Sequence, residues 1–144
     1  MLTANTTDLA LAEIWTDGDP EARVRVNFPI NRQAGSADSA VVYFEIAPGE
    51  RLPTHTDSAE EILYIVAGTA EAEVGDERGV VHAGDLAVIP AMAPHGVRNI
   101  GDETLKVVGF FSHAVIYSEF DEPLQPIGRT ALPEMAAVPV PVAA

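Results

Sequence analysis

Short runs in which apolar and polar residues alternate with a period of two recur along this chain, and glycine or proline cuts them at regular intervals. Arg23-Val-Arg-Val-Asn-Phe28 is the cleanest, with Val24, Val26 and Phe28 on one face. A strand at Glu13–Thr16 precedes it and breaks at Asp17-Gly-Asp-Pro20, a turn signal. After a loop at Asn31–Ser39, Val41–Ile46 is apolar on both faces, which predicts a central strand ended by Pro48-Gly49. Gly68 separates strands at Glu61–Ala67 and Thr69–Val74. In the second of these, Ala70, Ala72 and Val74 oppose Thr69, Glu71 and Glu73, giving one core face and one wet face. Gly75-Asp76, Gly84-Asp85 and Ile100-Gly-Asp-Glu103 read as turns, with further strands at 86–89, 95–99 and 105–112. Strands spaced about 8–12 residues apart with Gly-rich turns predict an all-β sandwich or barrel. Ser58–Tyr64 is the nearest thing to a helical period, and it is unconvincing.

At 144 residues the chain is one domain by length, with 47% hydrophobic residues to build a core. Its formal charge of −14 argues against nucleic acid or an anionic membrane surface as partner and says little about any small-molecule substrate. Without cysteine there is no disulfide, thiolate metal site or cysteine nucleophile. The N-terminus lacks a basic region followed by an apolar run, and no stretch nears the ~20 apolar residues of a membrane helix, so a cytoplasmic location is expected. Residues 1–10 are polar, an arm that is flexible or docks. The last 22 residues hold Pro123, Pro126, Pro133, Pro139 and Pro141 and are not expected to pair as a central strand. The final Pro-Val-Pro-Val-Ala-Ala should fray. The arm and the tail have no place in a minimal barrel and are expected to pack on a second copy, making a homodimer.

Side-chain parity singles out a few residues. In extended chain His55 and Asp57 point together, and Glu61 keeps that parity at the start of the next strand. His95, Val97 and Asn99 share a face opposite Arg98. An arginine belongs in water, so the phase that solvates Arg98 buries His95.

These residues sit in two segments with a recognisable frame. The first is Gly49-Glu-Arg-Leu-Pro-Thr-His55-Thr-Asp57-Ser-Ala-Glu60-Glu61, running on to Gly68. The second is Gly84-Asp-Leu-Ala-Val-Ile-Pro90-Ala-Met92-Ala-Pro-His95-Gly-Val-Arg-Asn99. Together they resemble the two signature motifs of the cupin family over roughly residues 40–112, with every spacing matched. Asp57 stands where the second histidine is usual, and Met92 where a glycine is usual. The resemblance implies a double-stranded β-helix of jelly-roll type. Its core spans 41–113, preceded by an arm and leading strands at 1–40 and followed by a Pro-rich tail at 114–144, all one domain. It also carries His55, Glu61 and His95 onto metal-ligand positions.

Two imidazoles and a carboxylate with open positions form the facial set of non-haem Fe(II) and O₂ chemistry. Asp57 is either a fourth ligand or a catalytic proton acceptor, and the harder donor set favours Fe(II) or Mn(II), with Zn(II) or Ni(II) possible. A carboxylate is shorter than an imidazole, so Asp57 is expected to fall short of the ion and tune reactivity more than affinity. Buried histidines and carboxylates can also satisfy one another without a metal. The leading expectation is a metal-dependent enzyme on a small organic molecule, foremost a dioxygenase-type oxidoreductase. The alternatives are a lyase, isomerase or polyketide cyclase, in which the metal polarises a carbonyl, and a non-catalytic binding module.

Other residues are secondary. His113 continues the odd parity of Leu105, Val107, Gly109 and Phe111 and is a candidate catalytic residue at the barrel mouth. His82 and Glu60 read as solvated. Tyr43, Phe44, Tyr64, Phe110 and Phe111 are core or pocket lining, Trp15 covers a barrel end or a dimer contact, and Asn99 ties down backbone.

Overall fold

The computed structural model describes residues 1–132, and the final Pro-Val-Pro-Val-Ala-Ala, expected to fray, lies outside the described residues. Alternation is realised as β1 (Ala12–Trp15), β2 (Arg23–Ile30), β3 (Ala40–Ile46), β4 (Arg51–Asp57), β5 (Glu61–Ala67) and β6 (Thr69–Val74). They are followed by β7 (Glu77–His82), β8 (Leu86–Ile89), β9 (His95–Asn99), β10 (Leu105–Phe111), β11 (Ser118–Leu124) and β12 (Arg129–Leu132). Two six-stranded antiparallel sheets result, the first ordered β1-β2-β3-β10-β5-β8 and the second β12-β11-β4-β9-β6-β7. This is the all-β double-stranded β-helix that the strand pattern and the motifs predicted. Among the described residues no helix is long and apolar enough to cross a membrane.

The core fills the space between the sheets. In β10, Leu105, Val107 and Phe111 are buried while Lys106 and Phe110 are exposed, as a period of two requires. Ile46, Ile65 and Val24 join them from the first sheet, and Val97 and Leu124 close from the second.

β4 carries the first motif although Pro53 lies within it. The β4–β9 register shifts between Leu52 and His55, so the proline, which has no N–H to give, falls where the ladder is broken. The tail is more structured than its prolines suggested. β11 lies between β12 and β4, yet it meets β4 only through Ser118, Glu119 and Phe120, ahead of Pro123, and β12 is an edge strand.

The N-terminal arm docks on its own chain. Asn27 Nδ2 donates to the Ala10 carbonyl at 2.7 Å, and Thr6, Leu9 and Leu11 line a surface cleft with Tyr43 and Val66. Trp15 exchanges backbone hydrogen bonds with Gln125 of the tail and lies under the Arg23 guanidinium, 5.2 Å from the ring centroid. Asn99 ties backbone, donating to the carbonyls of Ile46 and Glu103 at 2.8 Å each.

Candidate metal centre

Because β4 alternates, His55 and Asp57 both project between the sheets, and β9, its antiparallel neighbour, sets His95 directly opposite His55. The two imidazole centroids lie 4.2 Å apart. Across the barrel, Glu61 points in from the first residue of β5. All four side chains are buried. Asp57 Oδ2 lies 3.2 Å from His95 Nε2 and 3.5 Å from His55 Nε2, and Glu61 Oε1 lies 3.5 Å from His95 Nε2.

Each imidazole is oriented by a carbonyl two residues upstream in its own segment. His55 Nδ1 faces the Pro53 carbonyl at 2.8 Å and His95 Nδ1 faces the Ala93 carbonyl at 2.9 Å. A carbonyl only accepts, so the proton sits on Nδ1 and both Nε2 atoms turn inward, the state a ligating histidine needs. Phe120 of β11 stacks on His55 with centroids 4.4 Å apart and planes 15° from parallel. The Ser118 hydroxyl donates to Asp57 Oδ1 at 2.5 Å and leaves Oδ2 for the histidines.

Glu61 has a different support. A Cβ placed on Gly109 of β10 would run into the Glu61 carboxylate and come within 2.7 Å of Val42 Cγ1. The missing side chain is therefore the space in which the carboxylate lies.

Charge in this setting is tightly coupled. Burial disfavours the Asp57 carboxylate, but the two imidazoles outweigh it and hold the group well below the usual carboxylate range. Burial also opposes the His95 charge, yet Asp57 and Glu61 push it up to about 10. Glu61 moves the other way from Asp57, because burial raises its proton affinity and the Asp57 charge adds to the effect. A cation is what this centre calls for. Asp57 Oδ2 and His95 Nε2 face each other fully buried but without hydrogen-bond geometry. Neighbouring ligands about 2.1 Å from one ion are ~3.0–3.4 Å apart, and the donor separations here are close to that range. His55, Asp57 and His95 offer donor atoms all within 4.8 Å of one another, with Glu61 beside them. The chemistry and the geometry suit a divalent metal.

The donors line a cavity of about 40 Å³, room for a few waters, whose other walls include Val26, Phe28, Phe44, Leu63, Val97 and Phe111. Among the described residues no arginine or lysine lines it.

The four residues expected at a metal site are thus brought together. Asp57 Oδ2 lies close to the inner nitrogens of both histidines and so stands among the possible donors. The expectation for His113 is corrected. β10 ends at Phe111 and the chain bends, so the parity that pointed His113 inward stops two residues before it and leaves it exposed. His82 and Glu60 are exposed, as read. Of the aromatic residues, Phe44 and Phe111 line the cavity, whereas Tyr64 and Phe110 face outward. Tyr43 is buried on the arm side, its hydroxyl 2.6 Å from Glu45. Sequence reasoning missed Ser118, Phe120 and the role of Gly109. Only the last left a signal, a glycine inside a run of buried strand positions.

Comparison with known proteins agrees with this architecture. Residues 42–111 match the family model described as a cupin domain. A 62-residue stretch is 36% identical to polyketide synthase CurC of Streptomyces cyaneus, covering 42% of this chain and 40% of that protein. The chain therefore spans well under two thirds of that curated relative. Among solved structures, the oxalate decarboxylase of Lactobacillus farciminis, in its formate complex, aligns over 81% of this chain and 35% of its own, with TM-score 0.69 and 26% identity. The polyketide cyclase RemF from Streptomyces resistomycificus shares the fold over 77% of this chain and 78% of its own, with TM-score 0.65 and 21% identity.

Proposed function

This chain is a member of the cupin family, and on that premise we propose that it is a metal-dependent catalyst of proton transfer on compact, uncharged carbonyl compounds. That is the chemistry shared by lyases, isomerases and cyclases. One observation carries the reading: two buried carboxylates with opposed proton affinities flank a pair of inward-facing imidazoles, and among the described residues no arginine or lysine lines the cavity. His55, Asp57 and His95 would hold the ion, with Mn(II) or Fe(II) suited to this nitrogen and oxygen donor set. When bound, the ion supplies Lewis-acid polarisation of the substrate carbonyl. Glu61, the more basic carboxylate, takes a proton from the carbon beside that carbonyl and returns it to the product. The apolar walls exclude water and select for uncharged substrates. Oxalate, the substrate named for the Lactobacillus enzyme, is a dicarboxylate and lacks a cationic partner here. The polyketide synthase named among the relatives fits a carbonyl-rich substrate.

The test begins with metal analysis of protein purified without nickel. Hydrogen–deuterium exchange into a small 1,3-diketone is then followed in the metal-loaded protein. Glu61→Gln is expected to keep the metal and lose ~10²–10⁴-fold in exchange rate. Loss of metal in that variant would make Glu61 a ligand and remove it as the base. A dioxygenase reading is favoured by the two-imidazole, one-carboxylate set, and O₂ consumption without exchange would replace the first reading with it. Metal binding with neither activity would leave a non-catalytic binding module.

A further inference from the structure

The cavity beside the donor cluster is closed on almost every side. Of the side chains that line it, only Phe28 and Leu52 are partly exposed, so solvent comes closest at those two places. The seam between the sheets shows which of the two can open. At the Leu52 end the sheets are stitched together. Ala22 bridges to Arg51, Trp15 exchanges backbone hydrogen bonds with Gln125, and Arg51 pairs with Asp19 at 2.8 Å. The seam closes again beyond β2, where Arg32 N–H donates to the Ala114 carbonyl at 3.1 Å. Between these points, among the described residues, Asn27, Phe28, Pro29 and Ile30 make no backbone hydrogen bond to the second sheet.

Phe28 stands in that unstitched span. β1 pairs with β2 only as far as Val26, so from Asn27 onward β2 has a paired strand on one side alone. The β2–β3 register then shifts between the Asn27–Tyr43 and Ile30–Val41 pairs, so Phe28 and Pro29 together face Val42. Such a bulge interrupts the ladder and bends the strand, and Pro29 has no N–H to lose there. The alternation set by Val24 and Val26 still turns the Phe28 ring towards the cavity. An apolar ring, free on its outer side, therefore lies across a loosely held stretch of the wall.

We propose that Phe28 is a specificity-determining residue of this site, whose ring controls entry and sets the size of the carbonyl compound that reaches the donors. With the ring in place the cavity holds about 40 Å³. A compact acyclic dicarbonyl needs the ring only to turn aside, whereas an aryl substituent needs the space that the ring itself fills. The class of substrate rests on the proton-transfer reading above, and the control of entry rests on the seam alone.

Calorimetry and stopped-flow binding on the Mn(II)-loaded protein test this, with 2,4-pentanedione and 1-phenyl-1,3-butanedione as probes. The wild type is expected to bind the first and exclude the second. Phe28→Ala should shift the ratio of the two affinities by ~10–200-fold towards the phenyl compound. It should also speed association of 2,4-pentanedione by ~10-fold, because no ring has to move first. Phe28→Trp should slow that association. Circular dichroism checks each fold, and if Phe28→Ala does not fold, Phe28→Leu should move both readouts in the same direction by less. An unchanged ratio and association rate in the folded variants would overturn the proposal. So would wild-type binding of both probes equally well, or of neither. Deuterium exchange separates this proposal from the reading it builds on. A switched preference with no exchange in any variant keeps the role of Phe28 and removes the proton-transfer reading, and exchange with an unswitched preference does the opposite.

Discussion

The second sheet supplies His55, Asp57 and His95 to the donor cluster and Ser118 and Phe120 to its support, whereas the first supplies Glu61 and the hollow beside Gly109. The restraints differ in kind. On the second sheet each donor is held by a directional contact: a carbonyl on each Nδ1, a hydroxyl on Asp57, a stacked ring on His55. On the first sheet the restraint is shape, since Glu61 lies where a neighbouring strand has no side chain. A buried donor set can thus be assembled from a hydrogen-bonded half and a sterically accommodated half, and the two halves should fail differently.

His95→Ala strikes the hydrogen-bonded half hardest. It removes the side chain that touches both carboxylates, so Mn(II) affinity measured by calorimetry should fall by more than the ~10–100-fold that loss of an outer partner costs. Undiminished affinity would show that this histidine is not a ligand. Ser118→Ala should cost that ~10–100-fold itself by freeing Asp57, with Ser118→Thr recovering most of it. If affinity stays put, the hydroxyl does not position the carboxylate. On the shape-held half, Gly109→Ala should lower stability by about 1–3 kcal/mol in thermal melts, because the Glu61 carboxylate and Val42 Cγ1 would both have to move from their places. Adding Glu61→Ala should return part of that loss. A melting temperature unmoved by Gly109→Ala would mean the hollow is not needed. The smallest effect is expected ahead of β9. Met92 holds a left-handed φ of 65° while its N–H donates to the Asp57 carbonyl, so Met92→Gly should add up to about 1 kcal/mol. A loss of stability would show that its side chain is needed.

The donor residues were legible because strand parity is rigid. Arg98 in water forces His95 inward, and His55 with Asp57 needs only that β4 be extended. Parity fails where a strand ends, which is why His113 was misplaced by extrapolation past Phe111. The supports were less legible. Ser118 and Phe120 lie in a segment whose nearby prolines argue against sheet pairing, and only the early exit from the β4 ladder reconciles the two. The position of Asp57 beside both histidines could not be read from side-chain length alone. What decides it is the Ser118 contact and the approach of β9, and neither is written in the residues around Asp57. The two apolar faces of β5 were plain in the sequence as an unbroken run, but nothing there said that one of them faces outward uncovered.

The carbonyls that orient His55 and His95 belong to Pro53 and Ala93, each two residues upstream in the same segment. Ligand orientation is therefore inherited largely with a stretch of three residues, and among the cavity walls it is Phe120, stacked on His55, that adds to it. Val26, Phe28, Phe44, Leu63 and Phe111 stand on other strands and can be exchanged without turning either imidazole. A lineage built on this frame is free to remodel what it binds by drift at those wall positions while its inorganic chemistry stays in place, and a library randomised there is the natural starting point for redirecting it.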